Sequence, residues 1–170
     1  LMFQERLRPL ELRQIHEDIK FSWYEETFPN PAPTSSETIP LVNKRDAYSW
    51  VKAPRYNQQP YEGGPLARSW ITGEYNHGIS VMDRLIARAY ETAKLCELAK
   101  SWLEDIAPYS PTLLPYTPPS TGEGFGITDA MRGPLLHWLR VEQDKVSNYQ
   151  IITPSTWNFS TRDENGLLGP

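Results

Sequence analysis

The chain has 170 residues and a mass of 19.6 kDa, which suits one domain with a core of moderate size. A formal net charge of -4 gives no electrostatic reason to expect nucleic acid or an anionic membrane as a partner. The single cysteine excludes an intrachain disulfide framework, and no apolar run is long enough for direct membrane insertion. Six tryptophans and nine tyrosines within a hydrophobic fraction of only 39% predict a chain that packs against other protein as well as against itself.

The first sixty residues predict a helix followed by irregular structure. Apolar residues recur at approximately helical spacing from Phe3 to Glu26, with Pro9 marking a break near the start of this predicted helix. Four prolines between Phe28 and Pro40 predict an extended, exposed connector. From Lys44 to Tyr61, prolines among aromatic residues indicate irregular structure that is docked on the rest of the chain.

The clearest helix in the sequence runs from Ile79 to Ala107, where apolar residues recur at intervals of three and four. Ser80 is its predicted N-cap, because Asp83 follows three residues later. Cys96 lies on or beside the apolar face, so we expect a buried and unreactive thiol. A second Pro-rich connector is predicted at about 108–120.

A β-hairpin is predicted at about 135–153, where two alternating runs flank a polar turn. Before it, three alternating glycines at 122, 124 and 126 and a following Gly-Pro at 133–134 place Arg132 in a loop. Because a hairpin brings its two ends together, the Arg132 loop and the segment around Ser155 should converge. We therefore expect a guanidinium and a hydroxyl to face one site.

The predicted fold class is α+β. It is mainly helical, with one long helix (about 79–107), a β-hairpin (about 135–153) and long Pro-rich irregular connectors (about 28–40 and 108–120). From its length, we expect residues 1–170 to form a single domain.

Two blocks of sequence carry a family resemblance. The first reads Ser-Trp-Val-Lys-Ala-Pro-Arg-Tyr at 49–56 and Gly-Gly-Pro-Leu-Ala-Arg at 63–68. The second reads Asp-Ala-Met-Arg-Gly at 129–133, His-Trp at 137–138, Asn-Tyr-Gln at 148–150, Pro-Ser-Thr-Trp-Asn at 154–158 and Arg-Asp at 162–163. Together the two blocks resemble the large subunit of nickel-iron hydrogenases, and the resemblance spans essentially the whole chain.

The resemblance implies heterolytic oxidation of hydrogen, or reduction of protons, at a nickel-iron centre whose iron carries cyanide and carbon monoxide. In that family an arginine lies over the open metal position and donates to one cyanide, which maps to Arg132. The hydroxyl after the proline donates to the other cyanide, which maps to Ser155. Pro154, Met131 and His137 map to positions around these ligands or nearby. Met131 departs from the family, which usually has proline there, so the turn is expected to be less rigid.

The metal ligands of that family are two Cys-x-x-Cys pairs, and this sequence has only Cys96. We therefore predict no metal ligand here and expect the isolated chain to be inactive and to bind no nickel. The preferred interpretation is an internal segment whose partners are the remainder of the large subunit and an iron-sulfur small subunit. The absence of the Cys-x-x-Cys pairs would also be explained by a split or degenerate subunit. The alternative function is a non-catalytic module related to the quinone-site subunit of respiratory complex I.

The remaining candidates have structural explanations as well as functional ones. His137 is either a core histidine bonded to the backbone or, by the resemblance, a residue near the metal region. His16 is expected to be solvated or interfacial on the first helix, and His77 to be a loop or capping residue. Arg55 and Arg68 are expected to form structural salt bridges.

Overall fold

The computed structural model describes residues 2–3, 6–7, 9–26, 32–35 and 37–170. The chain divides into two compact units, Leu1–Gly64 with Ser120–Pro170 (the first unit) and Pro65–Pro119 (the second unit). The strands and α-helices in chain order are β1 (Met2–Phe3), β2 (Arg6–Leu7), β3 (Ile15–Asp18), β4 (Ala53–Tyr56), α1 (Pro65–Thr72), α2 (Val81–Asp105), β5 (Gly122–Ala130), β6 (Gly133–Glu142), β7 (Lys145–Ile152) and α3 (Pro154–Asn158). Short 3-10 turns occur at Leu12–Gln14 and Pro33–Ser35. The mixed α and β class is as predicted, but the described strands contain about as many residues as the described α-helices, so the chain is not mainly helical.

The largest sheet of the first unit is antiparallel and has the order β5-β6-β7. Its second half confirms the predicted hairpin, and the turn residues Gln143 and Asp144 both have positive φ, as in a type I′ hairpin turn. The prediction of a glycine-rich loop before Arg132 is wrong, because residues 122–130 form strand β5. The alternation of glycine with Phe125 and Ile127 has the period of a strand, and backbone pairing with β6 does not need side chains at the glycines.

The core of the first unit lies on one face of β6. Leu136 and Trp138 are buried there with Trp157 of α3 and with Ile15 and Tyr56 from β3 and β4. Because successive side chains of a strand point to opposite faces, the residue between Leu136 and Trp138 lies on the other face.

That intervening residue is His137, which is half-buried. Its Nδ1 lies 2.6 Å from the hydroxyl of Tyr149. The interpretation of His137 as a core histidine bonded to the backbone is therefore wrong.

The predicted helix from Phe3 to Glu26 is also wrong in its described part. Ile15–Asp18 is strand β3, paired antiparallel with β4. The run His-Glu-Asp resembles a solvated helix face, but Glu17 and Asp18 are only 2% and 3% exposed. Their carboxylates bind partners that lie far along the chain, which outweighs local helix preference. Residues 4, 5 and 8 of the predicted helix lie outside the described residues.

Residues 44–61 were predicted to be irregular structure docked on the rest of the chain. The same pairing corrects this at 53–56, which form β4, while the remaining residues of the segment belong to no helix or strand. The first Pro-rich connector is described only at 32–35 and 37–40, since residues 28–31 and 36 lie outside the described residues. Pro33 is buried, contrary to the expectation of an exposed connector. It lines a groove of about 160 Å³ together with the core residues Leu136 and Trp138. The connector is exposed, as expected, at residues 34, 37, 38 and 40.

The second unit consists of α1 packed on α2, followed by the connector. Helix α2 confirms the predicted long helix to within two residues at each end. Ser80 is its N-cap as predicted, because its hydroxyl accepts from the Asp83 amide while the Asp83 carboxylate accepts from the Ser80 amide. None of the described helices is both long enough and apolar enough to cross a membrane.

Cys96 lies on α2 and is exposed, so the prediction of a buried thiol is wrong. The reason is the short length of α1, which is eight residues against the twenty-five of α2. The buried and half-buried residues of α2 all lie at or before Glu91, and the helix is exposed from Thr92 onward. The predicted salt bridge of Arg68 is confirmed: its Nε and Nη2 donate to the two Glu91 oxygens at 2.6 and 2.7 Å.

Candidate functional site

Met131 and Arg132 form the two-residue turn between β5 and β6. Ala130 pairs with Gly133 at the base of the turn, and Gly133 has a φ of 133°, a region that favours glycine. Met131 is 74% exposed, so it does not fill an apolar gap in this chain. Arg132 is also exposed, and its guanidinium has no hydrogen bond or ion pair with any residue that the structure describes. The cation is thus left available to a group from outside the described residues.

Ser155 lies in α3, which begins directly after β7. Thr153 caps this short helix by accepting from the Thr156 amide at 3.3 Å, and Pro154 occupies its first turn. Trp157 anchors the helix because its ring is buried in the core of the first unit. Ser155 itself is exposed, and within the described part of the chain its hydroxyl makes no hydrogen bond.

The Arg132 turn and α3 lie against each other, as the hairpin predicted, and Asn158 joins them. Its Nδ2 donates to the carbonyl of Arg132 at 3.0 Å. The same amide pairs with the backbone of Gly63, accepting from its N–H at 2.8 Å and donating to its carbonyl at 3.1 Å. One side chain therefore connects three segments: the Arg132 turn, α3 and the loop before α1.

Three glycines allow these segments to approach so closely. A Cβ at Gly63 would lie 2.2 Å from Cδ of Pro134, one at Gly64 would lie 2.9 Å from the Arg132 carbonyl oxygen, and one at Gly133 would lie 2.9 Å from the carbonyl carbon of Gly63. Distances under 3.0 Å are essentially never seen for a real Cβ. Any side chain at these positions would force the backbones apart.

Asn158 and the Gly63-Gly64 pair belong to the motifs that carry the family resemblance, but sequence reasoning assigned neither of them a role in the site. The available signals were a Gly-Gly dipeptide directly before Pro65, which indicates close backbone approach, and an asparagine at the end of a short helix.

The structure does not bring His137 to the turn. It lies in β6 four residues beyond Gly133, and at roughly 3.3 Å per strand residue their Cα atoms are on the order of 13 Å apart. The imidazole instead contacts the ring of Tyr149, with centroids 5.6 Å apart. The other two histidines are also accounted for: His16 lies in β3 rather than on a helix, and His77 packs edge-on to Tyr75 in the loop before α2.

Arg55 forms the buried ion pair that was predicted for it, in the first unit. Its Nε lies 2.8 Å from Oδ2 of Asp163, and both side chains are at most 5% exposed. The remaining four N–H groups donate to oxygens of Pro54, Ser160, Thr161 and Leu167 at 2.9 to 3.2 Å. Arg55 thus ties β4 to the segment that follows α3.

Two buried carboxyl groups lie near this pair. Burial raises the pKa of Glu17, and the ammonium of Lys52, 3.0 Å away, only partly opposes this rise. Burial also raises the pKa of Asp18, although its carboxylate accepts from the amides of Glu164 and Lys20 at 2.8 Å. Asp18 and Arg55 line a polar cavity of about 420 Å³. The N–H groups of Arg55 and the carboxylate oxygens of Asp18 are hydrogen-bonded within the chain, so we interpret the cavity lining as structural.

The donor set for a metal is incomplete in this chain. Within the described residues, no group of three or more His, Cys, Asp or Glu side chains is arranged to hold a metal ion. The single cysteine lies on α2 and has no second cysteine to pair with. The residues present therefore do not fit a nickel centre held by two cysteine pairs, and such ligands would have to come from elsewhere.

Comparison with known proteins connects this geometry to a family. The family model described as nickel-dependent hydrogenase matches residues 3–78 and 73–170. The periplasmic [NiFeSe] hydrogenase large subunit of Desulfomicrobium baculatum is 34% identical over 92% of the chain, and the Hydrogenase-2 large chain of Escherichia coli K12 is 31% identical over 94%. Among solved structures, the reduced, active Ni-Fe-Se hydrogenase of Desulfomicrobium baculatum superimposes with a TM-score of 0.93 at 31% identity over 99% of the chain.

The chain spans only part of these proteins. It covers 35% and 34% of the two relatives and 40% of the solved chain. These matches favour the hydrogenase interpretation over the quinone-site alternative. The two sequence blocks and the match over nearly the whole length agree: the chain belongs to the nickel-dependent hydrogenase family and corresponds to a partial region of its large subunit.

Proposed function

We propose that this chain serves in hydrogen oxidation or proton reduction as the part of a hydrogenase large subunit that presents Arg132 and Ser155 to a nickel-iron centre. The metal ligands are supplied from outside the chain, in line with the incomplete donor set described above. The observation that carries the proposal is the junction of the Arg132 turn with α3, where an exposed guanidinium and an exposed hydroxyl have no partner among the described residues.

The two groups suit an anionic partner. An arginine keeps its charge at any working pH and offers N–H donors in a planar fork, so it acts by electrostatic positioning rather than as a base. A serine hydroxyl adds a single neutral donor. Following the family resemblance, we assign the two cyanides of the iron as the groups that Arg132 and Ser155 would bind, and Pro154 and Met131 would then border the same site.

His137 takes a less direct part in this proposal. Because the hydroxyl of Tyr149 holds its ring, we assign it to the surroundings of the site rather than to contact with the iron ligands. The expected partners are the remaining residues of the large subunit and an iron-sulfur small subunit. The size of the relatives supports the first partner, since they are more than twice as long as this chain.

The test is Arg132→Lys in the assembled hydrogenase that carries this sequence. Lysine keeps the positive charge but loses the planar fork, so turnover should fall by about 100-fold or more, the usual effect of removing one preorganised donor. Nickel content should stay at the parent level, because Arg132 is exposed and makes no ion pair with the described residues of its own chain. Hydrogen uptake and bound nickel are measured on the same preparations.

Arg45→Lys is the matched control, since the Arg45 side chain is 95% exposed. It should leave both quantities unchanged. Ser155→Ala should also lower turnover, and Ser155→Thr should restore it because the hydroxyl is kept. Parent-like turnover of Arg132→Lys would refute the proposed function.

A further inference from the structure

We propose that Asn158 is a positioning residue that aims Arg132 by holding the turn that carries it. The inference rests on the proposed function, because it assigns to Asn158 no contact with the reacting groups. Asn158 acts through the carbonyl of Arg132, to which its Nδ2 donates at 3.0 Å.

The location of this hydrogen bond gives it control over the arginine. The acceptor is the carbonyl of Arg132 itself, so the bond fixes the peptide plane directly after its Cα. Because the side chain leaves from that Cα, rotation of this plane changes the direction in which the guanidinium points. Residue 131, directly before Arg132, is a methionine, so no proline ring locks φ at that position. The turn therefore depends more on contacts from other segments.

Both the backbone and the side chain of Asn158 are fixed by neighbouring residues. Trp157, its neighbour in α3, is buried in the core, which anchors the helix. Its side-chain amide also makes two hydrogen bonds with the backbone of Gly63. Gly63 in turn lies so close to Gly133 and Pro134 that a Cβ there would overlap the proline ring. The amide thus bridges the turn to two segments that are already fixed.

Only an asparagine-sized amide satisfies these contacts together. Aspartate has the same shape and can still accept from the Gly63 amide, but it places an oxygen where Nδ2 faces the carbonyls of Gly63 and Arg132. Two attractive contacts then become repulsive. Alanine removes all three hydrogen bonds without adding charge.

The experiment is a double-mutant cycle in the assembled hydrogenase, with Asn158→Asp, Arg132→Lys and the double variant. Asn158→Asp should lower turnover by about tenfold to 100-fold, the scale expected when a reacting group is misplaced by about 1 Å. The double variant should have the same turnover as Arg132→Lys alone, because Asn158 acts only by orienting the guanidinium and lysine has none. Asn165→Asp adds the same charge at an exposed position and should behave like the parent.

A spectroscopic readout separates positioning from general destabilisation. Labelling the assembled hydrogenase with 15N-glycine reports on its glycine amides, among them those of Gly124, Gly126 and Gly133. The amide of Gly133 shares a peptide unit with the Arg132 carbonyl, and its signal should shift in Asn158→Asp. The signals of Gly124 and Gly126 in β5 should stay where they are in the parent and in Asn165→Asp.

The outcomes distinguish the two proposals. The positioning role alone is overturned if Asn158→Asp keeps parent-like turnover while Arg132→Lys is impaired. It is also overturned if the losses of turnover add in the double variant, or if the Gly133 amide signal does not shift in Asn158→Asp. Parent-like turnover of Arg132→Lys overturns the proposed function and the positioning role together. If Asn158→Asp assembles with less nickel than the parent, Asn158→Ala takes its place in the cycle with the same expected results.

Discussion

Replacing Arg55 by lysine tests whether the ion pair of the first unit is structural. Arg55 uses five N–H donors on five acceptors, and its side chain is 4% exposed. A lysine has three donors at one point, so at least two of the five acceptors lose their partner. With about 1–3 kcal/mol for each buried acceptor left unpaired, the free energy of unfolding should fall by about 2–6 kcal/mol.

The assay is denaturant unfolding of the chain followed by tryptophan fluorescence, because Trp138 and Trp157 are buried in the same unit. Arg45→Lys makes the same chemical change at a side chain that is 95% exposed, and it should alter the free energy of unfolding by less than about 0.5 kcal/mol. If Arg55→Lys fell within the same limit, lysine would satisfy the site, and the reasoning from donor number would be refuted.

Two further predictions concern a buried carboxyl and a helix cap. Because burial raises the pKa of Glu17 above its ordinary value of 4.5, the folded chain holds that proton more tightly than the unfolded chain does. This carboxyl therefore favours folding below about pH 4.5, and its contribution to stability is lost as the pH rises through the folded-state pKa. The denaturant midpoint of unfolding should decline over this pH range. Glu17→Gln should make the decline smaller, whereas the exposed control Glu37→Gln should leave it unchanged. Ser80→Ala should destabilise α2 by about 1 kcal/mol and speed the hydrogen exchange of the amides in its first turn. Ser101→Ala, later in the same helix, should have neither effect. Equal exchange rates in the two variants would contradict the capping role of Ser80.

Where a signal is local, the sequence predicted the structure well. Helix α2 was predicted because its apolar spacing and its cap lie within one continuous segment. The β6-β7 hairpin was predicted because two alternating runs flank a short polar turn. The convergence of Arg132 with the segment around Ser155 followed from the hairpin, since strand pairing sets which residues meet at its open end.

The errors occur where a partner lies far away in the chain. Strand β3 was mistaken for a helix because its buried carboxylates have partners such as Lys52 that no local pattern reveals. Cys96 was expected to be buried because apolar spacing shows which face of a helix is apolar but not whether a neighbour covers it. The core alternative for His137 was wrong because alternation defines two faces of a strand without saying which one is buried.

The amino-acid sequence by itself determined the family of this protein, its long helix, its hairpin and the position of Arg132 outside a helix, directly before that hairpin. Only the tertiary structure showed how the arginine turn is held, because the amide of Asn158 meets the backbone of Gly63 across 95 residues of sequence. The physical reason is that short-range periodicity fixes local conformation, whereas a hydrogen bond between distant backbones exists only once the core has brought their segments together.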